Sequence, residues 1–316
     1  MKRITVIIPV YNAENNISKC LDSIVIQLSE EDELLLIDDG STDNSYNILC
    51  GYEKNYPFIR VIKQENIGVA NTRNRGIYEA KGKYICFIDN DDYVDGDYFE
   101  KFYEAIEKNK SDIVIGGYRR VSDKGVKFSI KPVKGEWYKL MVVAPWSKLY
   151  RRKFLTDNDI KFLNYGIGED IYFNFNAYTK TENINVIPYS GYNWWFNTKS
   201  ISNTSQRGFN KNIDVCYLLN QLLDITGKDG IYNYYYLRYA VWYLLFSGKN
   251  AKRDEFMMEY KKIFKWLKKN NISHNFLKYQ FSIGGEGLLN RIAVGTIIIL
   301  DKLKIMDLFT RFYCGK

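Results

Sequence analysis

Four short aliphatic and β-branched runs, at residues 4–8, 34–37, 59–62 and 84–88, limit this chain more than any other feature. They lack the strict polar alternation of strands that keep one face in water. Between them lie segments with helical spacing, such as Ile17, Leu21, Ile24, Val25 and Leu28, and further helices are expected at 43–52 and 70–80. Buried runs alternating with helices predict a mainly parallel sheet covered on both faces. A helix at 98–106 and a fifth strand at 112–118 extend the pattern. This is the α/β, nucleotide-binding class of fold, whose ligands sit beyond the carboxyl ends of the strands. The stretch 119–204 is less regular and rich in aromatics, and from about residue 206 the spacing is helical. The expected division is therefore a first domain over 1–204 and a C-terminal helical region over 205–316.

Several chemistries are excluded early. No glycine precedes Gly40, so the glycine-rich dinucleotide fingerprint after strand one is missing, and no P-loop occurs. A single histidine, His274, rules out a His-rich metal centre, and its polar surroundings do not suggest a ligand. Five scattered cysteines without a C-x-x-C pair argue against a disulfide framework and for a reducing compartment. The basic start followed by an apolar run stops at Pro9, which reads as a strand and not as a leader. No apolar stretch reaches the ~18 residues of a spanning helix. A cytoplasmic protein is the expectation.

Acid follows the strands where glycine might have stood. Strand two runs into Asp38-Asp39-Gly40-Ser41-Thr42-Asp43, and strand four into Asp89-Asn90-Asp91-Asp92. Asp43 also suits ordinary turn and N-cap chemistry. An EF-hand beginning at Asp91 fails, because Tyr93 and Phe102 fall at ligand positions. Carboxylates crowding one sheet edge repel unless a cation or hydrogen-bonding ligand compensates, and a divalent ion bridging a diphosphate would do so. Between the clusters, Gly68-Val69-Ala70-Asn71-Thr72-Arg73-Asn74-Arg75-Gly76 opens a helix whose Arg73 is placed to clamp an anion.

In this order, Val6-Ile7-Ile8-Pro9-Val10-Tyr11-Asn12, Asp38-Asp39-Gly40-Ser41, Gly68 through Gly76, and Phe87-Ile88-Asp89-Asn90-Asp91-Asp92 resemble a family 2 glycosyltransferase with the GT-A fold. The resemblance covers roughly the first 200 residues. It implies a nucleotide-sugar donor, usually UDP-linked, with Mg2+ or Mn2+. Carried over by motif, Pro9 and Tyr11 line the nucleoside pocket, and Asp39 accepts from the uracil N–H. Asp89 and Asn90 join the donor site, Asp89 touching ribose or metal, and Asp91 binds the metal.

In similar members a Trp-x-Lys-Leu-Tyr stretch, here Trp146 to Tyr150, precedes a Glu-Asp pair, here Glu169-Asp170. The resemblance implies that Asp170 is the catalytic base, with Glu169 tuning or orienting it. Inverting transfer needs a carboxylate to take the acceptor proton, and a helix N-terminus favours its ionised form. Where the family commonly has Arg or His for the diphosphate, this chain has 193–202, with Lys199 and Ser200 as stand-ins. Trp146 and Trp194 are acceptor-contact candidates.

The net charge of +8 is concentrated at the end. Residues 251–316 hold 13 Lys/Arg against 6 Asp/Glu, whereas the first 250 hold 32 against 31. In 254–269, Phe256, Met257, Tyr260, Ile263, Phe264 and Leu267 form an apolar stripe opposite five lysines. With the apolar run 288–300, this fits either a packed helical bundle or helices lying on an anionic membrane. The leading expectation is an inverting hexosyl- or N-acetylhexosaminyltransferase acting on a glycan or lipid-linked acceptor, with no nucleic-acid partner. A nucleotidyltransferase lacks its glycine- and arginine-rich loop here. An inactive assembly partner sits badly with an intact Asp39, Asp91 and Asp170.

Overall fold

The computed structural model describes residues 2–132, 135, 137–196, 208–228, 230–272 and 284–314. The chain forms two compact units, Met1–Lys134 with Tyr138–Phe196, and Gly135–Trp137 with Asn197–Lys316.

The first unit begins β1 (Lys2–Val10), α1 (Ile17–Val25), β2 (Glu33–Asp39), α2 (Ser45–Asn55), β3 (Ile59–Gln64), α3 (Val69–Glu79) and β4 (Gly82–Phe87). Next come β5 (Tyr93–Val94), α4 (Tyr98–Asn109), β6 (Ile113–Ile115), β7 (Tyr118–Ser122), β8 (Gly125–Ile130) and α5 (Tyr138–Met141). It closes with β9 (Lys148–Arg151), α6 (Arg152–Asp157), α7 (Glu169–Thr179), β10 (Ile184–Val186) and β11 (Tyr192–Trp195).

Seven strands form one sheet in the order β10-β6-β9-β4-β1-β2-β3, parallel throughout except for β9, which runs antiparallel between β4 and β6. β2 is buried along its whole length, because strands flank it and helices cover it. Helix α1 supplies Ile17, Cys20, Leu21, Ile24 and Val25 to that core at i, i+3 and i+4 spacing. The register places both acid clusters at one edge. Val10 pairs with Asp38 and Asp39 with Gln64, while the Ile88 amide donates to the Ile7 carbonyl at 3.1 Å, just before Asp89.

The fifth expected strand is in fact two. Residues 113–115 join the large sheet as β6, and 118–122 start a second sheet, ordered β5-β11-β7-β8. The chain changes sheets at Gly116-Gly117. A Cβ on Gly117 would sit 1.9 Å from the Ile130 carbonyl oxygen, so glycine is required by close approach. The middle of the chain, expected to be less regular, thus builds a sheet of its own. Its strands are short and mix polar with aromatic residues, which erases the periodicity a sequence reading needs.

The second unit is helical, with α8 (Val215–Thr226), α9 (Ile231–Ser247), α10 (Arg253–Lys269), α11 (Leu288–Lys302) and α12 (Met306–Tyr313). Helix α9 is apolar on all sides, burying Tyr234, Tyr235, Tyr236, Tyr239 and Tyr243, and packs against α10 and α11. The buried stripe of α10 is centred on Phe256, Ile263, Trp266 and Leu267, where the Trp266 indole donates to Asn220 at 2.6 Å. Met257, Tyr260 and Phe264 of the expected stripe are only half-buried. Among the described residues, no helix is long and apolar enough to cross a membrane.

Candidate active site

Asp39, at the end of β2, is buried and organises the loop that leads into α3. Its Oδ1 accepts from the Ile67 amide at 2.9 Å and the Gln64 side chain at 2.7 Å, and its Oδ2 from the Gly68 amide at 3.0 Å. Gly68 has φ +85°, a region that disfavours side chains, and it positions its amide toward Asp39. Three donors occupy most of the carboxylate's roughly four lone-pair sites. Ser41 and Asp43 hold the β1–α1 turn. The Asn12 amide donates to the Ser41 hydroxyl at 3.1 Å, and the Glu14 amide to Asp43 at 3.1 Å. That turn leaves Tyr11 49% exposed, while Pro9 is buried and its carbonyl accepts from Asn90 at 3.0 Å.

Arg73 is only 4% exposed. One Nη lies 2.7 Å from Asp170 and 3.7 Å from Glu169, and the other lies 2.7 Å from Asp89. The expected anion clamp is therefore a clamp on carboxylates of the chain itself, drawn from the end of β4 and the start of α7. Burial by itself would weaken the guanidinium's hold on its proton. Asp170, Asp89 and Glu169 outweigh that and raise its pKa above the usual value.

Asp170 occupies the first turn of α7 and is 28% exposed at its side chain. Burial pushes its carboxyl up to about 8, against the pull of Arg73 and with Glu169 and Asp89 adding to the rise. Burial raises Glu169 as well, with Arg73 opposing. Beneath them, Asn174 donates to the Asp170 carbonyl at 2.9 Å and to the Val143 carbonyl at 2.7 Å. Tyr150 donates to the Asn174 side-chain oxygen at 2.8 Å. Fully buried Lys148 donates to the Val142 and Ala144 carbonyls at 2.7 and 2.5 Å, and burial lowers its pKa to about 7, opposed by Asp170. The Trp-x-Lys-Leu-Tyr stretch thus braces the segment under the Glu-Asp pair.

Asp89, Asn90 and Asp91 are half-buried at the same sheet edge, whereas Asp92 is buried. Asp92 accepts from the Tyr192 hydroxyl at 2.6 Å and the Trp195 amide at 2.8 Å, tying the two sheets together. Burial holds its carboxyl well above the ordinary range, with Asp89 and Asp91 adding to the rise. Among the described residues, no group of three or more His, Cys, Asp or Glu side chains could hold an ion unaided. Asp89 and Asp91 together fit the partial set of one or two carboxylates to which a magnesium-type ion binds when phosphates supply further oxygens.

Trp146 is 6% exposed and lies flat on Tyr192, with ring centroids 4.4 Å apart, so it is packing and offers an acceptor little surface. Trp194 is half-buried beneath Arg120, whose Cζ is 3.5 Å from its ring centroid. Lys199, Ser200 and His274 lie outside the described residues. The sequence reading missed Lys148, Asn174 and Tyr192 as supports of the site. Lys148 stood inside a recognised motif, but the others carry no local signal. A cavity of about 460 Å³ beside the edge strand β10, lined by Asn109, Ser111, Tyr138 and 182–186, includes none of the site carboxylates.

Comparison with known proteins adds the lineage. The model of glycosyl transferase family 2 matches residues 5–203. The chain is 36% identical over 194 residues to the poly(ribitol-phosphate) beta-glucosyltransferase of Bacillus spizizenii, covering 58% of this chain and 31% of that protein. It spans less than two thirds of the length of the first curated relatives it matches. Among solved structures, TarS residues 1–349 from S. aureus in complex with UDP-GlcNAc superposes with a TM-score of 0.56 at 20% identity, covering 92% of this chain and 79% of that one. The mannosyltransferase PcManGT from Pyrobaculum calidifontis, in complex with GDP-Man and Mn2+, gives 0.54 at 14% identity, covering 94% and 80%. At these identities the structural likeness concerns the fold.

Proposed function

The chain belongs to glycosyl transferase family 2, and on that premise we propose that it moves a hexose or N-acetylhexosamine from a UDP-sugar to a hydroxyl of a glycan or lipid-linked acceptor, with inversion. The observation that carries this reading is the Asp89–Arg73–Asp170 bridge, which couples an acid of the Asp-x-Asp cluster to a carboxylate at a helix N-terminus. Asp170 takes the acceptor hydroxyl proton as that oxygen bonds to the anomeric carbon. The bond from that carbon to the diphosphate oxygen breaks on the opposite face, and UDP leaves with the electron pair. Arg73 keeps Asp170 oriented and favours its ionised form, while a carboxyl raised toward the operating pH is a stronger base.

On the donor side, Tyr11 and Pro9 would line the nucleoside, and Asp39 would use its remaining acceptor capacity for the base. Lys199 and Ser200 are assigned to the diphosphate on sequence grounds alone. Asp91, with Asp89, would hold Mg2+ or Mn2+, which when bound neutralises charge on the diphosphate. Surface-polysaccharide, glycolipid and glycoprotein-glycan acceptors all fit this reaction, and the similarity to a poly(ribitol-phosphate) beta-glucosyltransferase supports a polymeric acceptor. A direct test is to screen UDP-glucose, UDP-galactose and their N-acetyl forms for donor hydrolysis by the wild type and by Asp170→Asn. Absence of hydrolysis and of UDP binding would sink the donor assignment.

The second unit supports a contact with an anionic membrane surface. Leu289, Ile292 and Ile299 of α11, Leu303 just after it, and Leu308 and Phe312 of α12 are exposed, interleaved with Lys302, Lys304 and Arg311. Apolar side chains rimmed by basic ones are the composition of interfacial helices.

A further inference from the structure

Arg120, on β7, has no role in the Arg73 network, yet it is built like a binding residue. It is 5% exposed, and its buried Nη1 has no hydrogen-bond partner among the described residues. Its guanidinium lies 3.5 Å above the Trp194 ring and 5.1 Å from Phe196, so the rings fix its plane. Arg120 pairs in register with Trp194, one residue before Trp195, whose amide holds Asp92. The charges of Asp92 and Asp91 reach it, while burial lowers its pKa. Stacking on the indole holds the guanidinium in place but leaves its in-plane N–H donors to be satisfied, and a charged buried donor without a partner is costly. Such a donor, beside carboxylates that would gather a cation, suits an incoming oxyanion with a flat, forked contact.

We propose that Arg120 is a phosphate-binding residue of this site, taking an oxygen either of the donor's diphosphate or of a phosphate carried by the acceptor. The site placement rests on the glycosyltransferase reading above. It also supplies, from before the Glu-Asp pair, the fork-shaped cation that 193–202 lacks.

Calorimetric titration of the full chain separates the sources. Wild type, Arg120→Gln and Arg120→Lys are titrated with UDP and Mn2+, with uridine, and, after saturation with UDP, with glycerol 1-phosphate. If Arg120 reads the diphosphate, Arg120→Gln weakens UDP by about 10- to 100-fold and leaves uridine unchanged. If it reads an acceptor phosphate, UDP affinity is kept and glycerol 1-phosphate binding, present in wild type, is lost. Should Arg120→Gln not fold, Arg120→Lys decides, weakening the same ligand by a smaller factor with uridine unchanged. Wild-type affinity for both phosphate ligands in the folded variant, or an equal loss for uridine, overturns the proposal. If wild type does not bind UDP, the donor reading fails and the glycerol 1-phosphate arm alone decides Arg120. Failure of both ligands to bind wild type overturns both.

Discussion

Arg73 and Asp170, 97 residues apart in the chain, meet at 2.7 Å, and the other nitrogen of the same guanidinium holds Asp89 at the same distance. A single buried cation thus joins the acid cluster after β4 to the candidate base on α7. Removing it would leave three carboxylates facing one another without compensation.

Replacing Arg73 with Gln is expected to destabilise the protein by about 3–5 kcal/mol, the usual result of stranding half of a buried ion pair. Turnover should fall by about 100-fold or more as Asp170 loses its orientation. Arg73→Lys, which keeps the charge but cannot fork to two acids, should fall between the two. Urea denaturation together with donor-hydrolysis rates checks both effects; wild-type values for Arg73→Gln would contradict the bridge's importance.

The raised Asp170 carboxyl sets a pH dependence. A base must be ionised, so kcat/KM should rise with pH and level off above about 8. Since Arg73 lowers this pKa, the acid limb should move upward in Arg73→Lys if the contact loosens. Stability runs the other way. Asp170 binds its proton more tightly folded than unfolded, so its stabilising contribution is present below the unfolded value near 4 and lost as pH rises through about 8. Asp170→Asn should remove that part of the slope and lower turnover by about 10²–10⁴-fold, with UDP still bound. A rate profile flat from pH 6 to 9 would count against this base.

Chelation should suppress donor hydrolysis, and added Mn2+ should restore it. Asp91→Asn should need more Mn2+ for the same rate while binding uridine normally. Full turnover in the chelated protein would remove the metal from the scheme.

Two glycines should respond in opposite senses. Gly117→Ala drives a Cβ into the Ile130 carbonyl and should cost about 1–3 kcal/mol. Gly51, within α2, has open space around a new Cβ, and Gly51→Ala should stabilise by about 0.4–1 kcal/mol. Denaturant midpoints measure both.

For the second unit, binding to vesicles containing anionic lipid should weaken as salt rises. Equal binding to neutral vesicles would rule out the electrostatic part, and a charge-preserving Ile292→Asn with Leu303→Asn should reduce the apolar part.

Much of this protein was written locally. Aliphatic runs separated by helical spacing determined β1 to β4 and their helices, since a strand buried on both faces has to be apolar along its length. The acid clusters after β2 and β4 then put Asp39, Asp89 and Asp91 among the site candidates, and the family resemblance added Asp170. Tertiary structure decided what those residues face. Arg73 looked like a clamp for a ligand because helix spacing says nothing of a carboxylate 97 residues away. The second sheet and Arg120 stayed hidden because their partners come from distant strands and their own segments lack periodicity. Short-range pattern determines which surfaces must be buried; only the packed fold determines which charges meet there, because a charge's partner is chosen by distance in space and not along the chain.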